Sequence, residues 1–455
     1  MDYLQRMGQN LLGIINDLKR RPEDAAQELQ VPLAEFYAYL RGEAEIPLEL
    51  IKRATKVWPV NERDFYGLKD DSPTGVKIMR AAESAASSRI MERAGKPYYE
   101  YRDTAMSTIS QFRPEWIKEL CVVKNDDPDN AEAQWNNGHF MHQFTYFVGP
   151  VNFYYKGEDG KKKVAYMNTG DSMYITPFVP HTFATRENAA GEKGLILALT
   201  YGNKLAGETQ QELSAIGPEL ATEYALDFSI RGRAAASLLR FHCETASIDD
   251  QRLHLMTGIP ISLLEKYESG EVLAKQEDLE KIARALNIDL RELLPPDYME
   301  QKVVVKQYNR IDKRDFPALS PSYGFIDLAG TNHLPYSKAL ELNVQKDVDA
   351  DSDILDLKVG LHQYVYNVGK SPVNINWYYD GQKYHEVIHP DDSLYLKPFV
   401  AHNFRGTDGK LLVLRIGGRV VGEGLRELSL IGKENAARVI SEKTLWFNKE
   451  GRNKV

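Results

Sequence analysis

Residues 170–181 read G-D-S-M-Y-I-T-P-F-V-P-H. A Gly-Asp pair opens a short β-rich run, Met173 to Ile175, Pro177 follows it, and His181 comes eleven residues after the glycine. Upstream, N-N-G-H-F-M-H-Q (136–143) leads into F-T-Y-F-V-G, a second β-rich run closed by Gly149. From Tyr98 to Tyr201 the chain keeps this character: short runs broken by Gly, Asn, Asp and Pro, the pattern of an all-β barrel. K-G-E-D-G-K-K-K at 156–163 reads as an exposed hairpin turn. Before this region, residues 3–65 read as helices. V-P-L-A-E-F-Y-A-Y-L-R-G (31–42) supplies the turn and second helix of a helix-turn-helix, ending at Gly42. The Ala/Ser-rich stretch 70–95 reads as a linker.

The chain then repeats itself. I-P-I-S-L-L-E-K-Y-E-S-G (259–270) echoes 31–42, and H-Q-Y-V-Y-N-V-G (362–369) echoes H-Q-F-T-Y-F-V-G (142–149). D-D-S-L-Y-L-K-P-F-V-A-H (391–402) echoes 170–181, and E-L-S-L-I-G (427–432) echoes E-L-S-A-I-G (212–217). Matches in the same order at nearly constant offset mean duplication. The expected fold is α+β, a tandem repeat of a helix-turn-helix-like module and a jelly-roll β-barrel. The expected domains are 1–70 (helical), 71–205 (barrel), 206–300 (helical) and 301–455 (second barrel).

Composition narrows the class. The chain has 455 residues, 43% of them hydrophobic, which is ample for several cores. A net charge of -8 argues against a nucleic-acid protein. Two distant cysteines, Cys121 and Cys243, lack CxxC partners and point to a reducing cytoplasm. The apolar run L-L-G-I-I is interrupted by Asn16 and Asp17, so it suits one face of a helix and no membrane span.

The 170–181 pattern is similar to the second motif of a cupin barrel. That resemblance sets the two β-rich runs side by side, with inward side chains converging on one metal. The candidate ligands are His139, Gln143 and His181. His142 is the rival to Gln143, but on one strand His139 and Gln143 share parity and His142 does not. In the second copy Gln143 maps to Gln363 and His181 to His402, while His139 maps to Val359, so the second barrel is expected to be metal-free. Imidazoles with a hard oxygen suit Fe(II). A neutral amide also leaves the ion its full charge, which favours an anionic substrate.

With these residues the chain resembles, over essentially its whole length, the two-repeat cupin iron enzymes of phosphonate metabolism. These include 2-hydroxyethylphosphonate dioxygenase and methylphosphonate synthase. N-N-G-H and G-D-S…P-H are common to both. The dioxygenase pattern carries a Glu ligand where this chain has Ile175. The synthase pattern has Phe after the first His (Phe140), Gln four after it (Gln143) and Ile at the Glu position, as here. The resemblance implies Fe(II)- and O2-dependent cleavage of the C1–C2 bond of 2-hydroxyethylphosphonate, giving methylphosphonate and CO2 or bicarbonate. It also implies a homo-oligomer in which a neighbouring subunit sends Lys19 into the site. Arg93, Tyr101 and Asn136 would hold the phosphonate, with Lys19 and Tyr101 acting in catalysis and Phe140 and Ile175 lining the substrate pocket.

Three alternatives stand beside this reading. The dioxygenase reaction would give hydroxymethylphosphonate and formate. A binding cupin without catalysis remains open because fold alone does not fix function. A DNA-binding regulator is disfavoured: the second helices offer few donors to base edges, and residues 239–294 carry seven Lys/Arg against eleven Asp/Glu.

Overall fold

The computed structural model describes residues 2–201, 205–296, 301–309, 313–345, 354–441 and 444–446. The first helix, Tyr3–Asp17, starts at a capping box: Asp2 accepts from Gln5 N at 2.8 Å, and the Gln5 side chain accepts from Asp2 N at 3.2 Å. Its apolar face, Met7, Leu11, Leu12 and Ile15, is buried against Leu29, Phe36, Ile51 and Trp58. Pro22–Glu28 and Leu33–Arg41 form the expected helix-turn-helix, and Gly42 at φ +68° stops the second helix in the left-handed region glycine favours. Arg231–Ala246, Asp250–Thr257 and Ile261–Ser269, ended by Gly270 at φ +74°, repeat the arrangement around Leu253, Leu264 and Ile282.

Among the described residues the β regions form two seven-stranded sheets and two smaller ones. One large sheet runs in the order Val303–Lys306, Ser172–Ile175, His142–Val148, Leu195–Tyr201, Arg113–Glu119, Lys96–Asp103, Arg89–Arg93. The other runs Val76–Met79, Ser393–Leu396, His362–Asn367, Lys410–Ile416, Ser337–Val344, Tyr323–Asp327, Arg314–Phe316. The two orders correspond strand for strand. A four-stranded sheet containing His181–Arg186 and Val151–Lys156 covers the first, and a three-stranded sheet containing Val373–Tyr379 and Ala401–Arg405 covers the second. Between the first pair lie Phe147, Phe153 and Phe183, with Phe153 stacked on Phe183 at 5.2 Å. Burial of each such ring contributes roughly 2–3 kcal/mol.

The stretch 70–95 is not a linker. Val76–Met79 pairs with Ser393–Leu396 of the other half, Ala81–Ala86 is a short helix, and Arg89–Arg93 is an edge strand. Val303–Lys306 reciprocates by pairing with Ser172–Ile175. Each half therefore closes the edge of the other's large sheet, which removes two open rows of backbone donors and acceptors. The pairing is anchored by contacts across the two halves: Arg80, just after Val76–Met79, reaches Asp392 at 2.9 Å and Glu386 at 2.7 Å.

The two large sheets also pack back to back, Phe144, Tyr146 and Tyr174 against Tyr364, Tyr366 and Tyr395. Glu341, buried between them, accepts from Tyr146 and Tyr308 at 3.1 Å each and pairs with Lys410 at 3.3 Å. Equivalent serines tie the halves together: Ser172 Oγ accepts from Ala329 N at 2.9 Å, and Ser393 Oγ accepts from Ala105 N at 2.8 Å. Among the described residues no helix is long and apolar enough to cross a membrane.

Candidate metal centre

His181 opens the strand His181–Arg186, and Gln143 is the second residue of His142–Val148. His139 lies before that strand, so strand alternation does not place it. The chain bends at Gly138, φ +77°, where a Cβ would stand 2.6 Å from the Phe178 carbonyl carbon. Phe178 N donates to His139 O at 2.7 Å, locking the His139 segment onto the loop that leads to His181. The rings of His139 and His181 stand 5.3 Å apart, edge to face. His142 points to the opposite face, stacked between Tyr174 and Tyr201 with Nδ1 2.6 Å from the Tyr174 hydroxyl.

The hydrogen bonds around these side chains fix which of their atoms face the centre. His139 Nδ1 lies 2.8 Å from Met141 O, and His181 Nδ1 lies 2.8 Å from Val179 O. A carbonyl can only accept, so each Nδ1 carries the proton and each Nε2 presents a lone pair. Gln143 Nε2 donates to Thr145 Oγ1 at 2.9 Å, which turns its carbonyl oxygen toward His139. Gln143 Oε1 and His139 Nε2 consequently face each other at 3.0 Å, and in the neutral ring with its proton on Nδ1 both atoms are acceptors. Two acceptors in that position repel unless a cation joins them. This geometry fits a divalent metal held by two neutral imidazoles and an amide oxygen. Burial, above all, pushes the His181 imidazole down to about 4, keeping it neutral and ready to ligate. Thr145→Val should therefore free the amide to rotate and weaken metal affinity by roughly 10–100-fold, the usual cost of losing a hydrogen bond that orients a ligand. Metal titration by calorimetry would read this directly.

The remaining candidates are distributed unevenly. Asn136 is part of the centre: its Oδ1 accepts from Gly138 N at 2.9 Å and His181 N at 3.0 Å, and its Nδ2 points at His181 Nε2, 3.1 Å away. Ile175 is fully buried and pairs in register with Gln143. Arg93 lies close by: it donates to Gln134 O at 2.6 Å and to the hydroxyl of Thr182, the residue after His181, at 3.3 Å. Its guanidinium covers the faces of Tyr98 and Tyr99 at 5.1 and 4.8 Å. Tyr101 stands edge-on to Tyr99 at 5.8 Å, its hydroxyl held protonated chiefly by burial. Phe140 is exposed. Lys19 is not brought to this centre within one chain: its Nζ lies 4.6 Å over the Trp446 ring and donates to Asn16 O at 3.3 Å.

Sequence reasoning missed several groups. Thr182 bonds the hydroxyls of both Tyr98 (3.1 Å) and Tyr99 (3.0 Å), and its position beside His181 was the available signal. Glu119 is buried with neither carboxylate oxygen hydrogen-bonded among the described residues, and burial raises its proton affinity well above the usual range. Its position at the end of an ordinary amphipathic strand gave no sequence signal.

In the second half, Phe399 N donates to Val359 O at 2.7 Å, as Phe178 does to His139. Val359 thus stands where His139 stands. Leu357 exchanges backbone hydrogen bonds with His402 in the place of Asn136, and Arg415 holds the register position of Thr200, opposite Gln363.

Comparison with known proteins extends this picture. Residues 251–293 match the Helix-turn-helix family. The chain is 53% identical over 451 residues to the methylphosphonate synthase of Nitrosopumilus maritimus, covering 99% of this chain and 97% of that protein. It is 24% identical over 348 residues to the 2-hydroxyethylphosphonate dioxygenase of Streptomyces viridochromogenes, covering 72% and 73% of the two. Among solved structures, Streptomyces albus HEPD with 2-hydroxyethylphosphonate and Fe(II) bound superimposes with a TM-score of 0.90 at 37% identity. That match spans 98% of this chain and 99% of the other.

Proposed function

Because the chain belongs to the methylphosphonate synthase family, we propose that it cleaves the C1–C2 bond of 2-hydroxyethylphosphonate with Fe(II) and O2, giving methylphosphonate and CO2 or bicarbonate. The two halves are read as tandem cupins, each preceded by a helix-turn-helix module, on the strength of their corresponding strand orders. The unpaired Cys121 and Cys243 favour a cytoplasmic setting.

The observation that carries the reading is the 3.0 Å approach of His139 Nε2 to Gln143 Oε1, with His139 Nδ1 turned to the Met141 carbonyl. With His181 these atoms would hold iron, which supplies the one-electron O2 chemistry. The protein's part is binding and orientation. Gln143 adds no negative charge, so the site keeps more attraction for a phosphonate dianion than a carboxylate ligand would leave. Asn136 directs an N–H toward His181 Nε2, where an oxygen of bound substrate would accept it. Arg93 offers a fork that can grip two phosphonate oxygens. The Tyr101 hydroxyl supplies a neutral donor, and a neighbouring subunit in a homo-oligomer supplies Lys19. Ile175 puts an apolar wall beside Gln143 where the dioxygenase pattern has a carboxylate, which helps exclude water from the reacting fragments.

Phosphorus NMR of a complete turnover by the iron-loaded protein in air should show methylphosphonate as the main product. Hydroxymethylphosphonate with equimolar formate as the dominant outcome would instead assign the dioxygenase reaction.

A further inference from the structure

The second half has Val359 where the first has His139, and its interior is not filled with apolar side chains alone. Arg415 points into it from the strand Lys410–Ile416, on the same face as Leu411 and Val413 of the core. Its Nε donates to Gln363 Oε1 at 3.0 Å, the atom equivalent to the candidate metal-binding oxygen of Gln143. A guanidinium therefore stands near where the first half gathers metal ligands.

Among the described residues no carboxylate lies within ion-pair distance of Arg415. The neighbouring acids are already engaged: Asp356 with Arg405 at 3.1 Å and with the Tyr323 hydroxyl at 2.6 Å, and Asp327 with Arg314 at 3.0 Å. Burial, reinforced by the positive charge of Arg314, lowers the proton affinity of Arg415 to about 10. Lys338 adds a further positive charge in register with it on the adjoining strand. Beside it Gln363, 1% exposed, has an amide nitrogen with no hydrogen-bond partner among the described residues. A half-buried guanidinium with no acid beside it among the described residues and a buried amide without an acceptor face the same space, and one oxyanion would satisfy both.

We propose that the second half is an oxyanion site, in which a tetrahedral phosphate or phosphonate is held by the free N–H groups of Arg415 and the Gln363 amide. The guanidinium suits such a ligand because its donors match paired oxygens. The site would be separate from the metal centre of the first half.

The test uses full-length, iron-free protein and reads binding, not turnover, so it stands apart from the reaction assigned above. Calorimetric titration with inorganic phosphate and, separately, with methylphosphonate should show a saturable site that survives His181→Ala. Arg415→Gln should weaken it at least tenfold, and Gln363→Leu should weaken it to a lesser degree. Arg415→Lys should restore part of the loss, and it remains informative if the Gln variant does not fold. The tighter of the two ligands identifies the source, free phosphate or a phosphonate. An Arg415→Gln isotherm that superimposes on wild type, or no saturable binding by wild type up to millimolar ligand, would overturn the proposal.

Discussion

Iron titration of His139→Ala and of His181→Ala is expected to show no tight site, and neither variant should turn over, while His402→Ala should keep one equivalent of iron per chain and most activity. Each replaced imidazole takes away a lone pair fixed by a backbone carbonyl, Met141 O for one and Val179 O for the other. Loss of a direct ligand should exceed the roughly 10–100-fold that loss of a hydrogen bond orienting a ligand costs. His402 is held in the same way, with Nδ1 2.9 Å from Val400 O, so its own geometry does not separate it from His181. Its surroundings do. Val359 offers no ligand atom, and Arg415 brings a positive charge to Gln363. Two equivalent tight iron sites per chain would refute this asymmetry.

The second large effect is structural. Gly138→Ala should lower the unfolding free energy by roughly 2–4 kcal/mol, combining left-handed backbone strain with overpacking, and should cripple iron binding as well. Gly138 sits at φ +77°, and a Cβ there would meet the Phe178 backbone at 2.6 to 3.0 Å. Phe178 cannot retreat freely, since its N–H holds His139 O and the same loop carries Val179, which orients His181. Gly95 is the internal control. It has φ +74° but nothing within 4 Å of its Cβ position, so Gly95→Ala should cost only the strain, roughly 1–2 kcal/mol. Thermal melts of the two variants, with iron binding measured alongside, separate strain from collision.

Much of the site was legible because its chemistry is carried by residue types at set spacings. The candidates His139, Gln143 and His181 are read directly from two short stretches, and the duplication aligned Val359 with His139 in the second copy. The parity argument set Gln143 above His142, but its premise of one strand from His139 onward does not hold. His139 reaches Gln143 because the chain turns at Gly138, and the turn depends on a contact with Phe178, some forty residues away in sequence.

Periodicity and repetition are local properties of the chain, so the sequence alone determined the helical modules, the β character of both halves and the candidate ligands His139, Gln143 and His181. What it could not contain was pairing between distant segments. Val76–Met79 belongs to the sheet of the second half and Val303–Lys306 to that of the first because an open sheet edge is satisfied by whichever strand reaches it in space. The carbonyl of Gln143 faces His139 because Thr145 holds its amide, and Arg93 stands beside Thr182 because two sheets pack face to face. Arg415, an unremarked residue in a hydrophobic strand, acquires meaning only through its register with Gln363 and the absence of an acid beside it among the described residues. Hydrogen-bond direction, burial and uncompensated charge arise from what surrounds a group, and only the tertiary structure decides those surroundings.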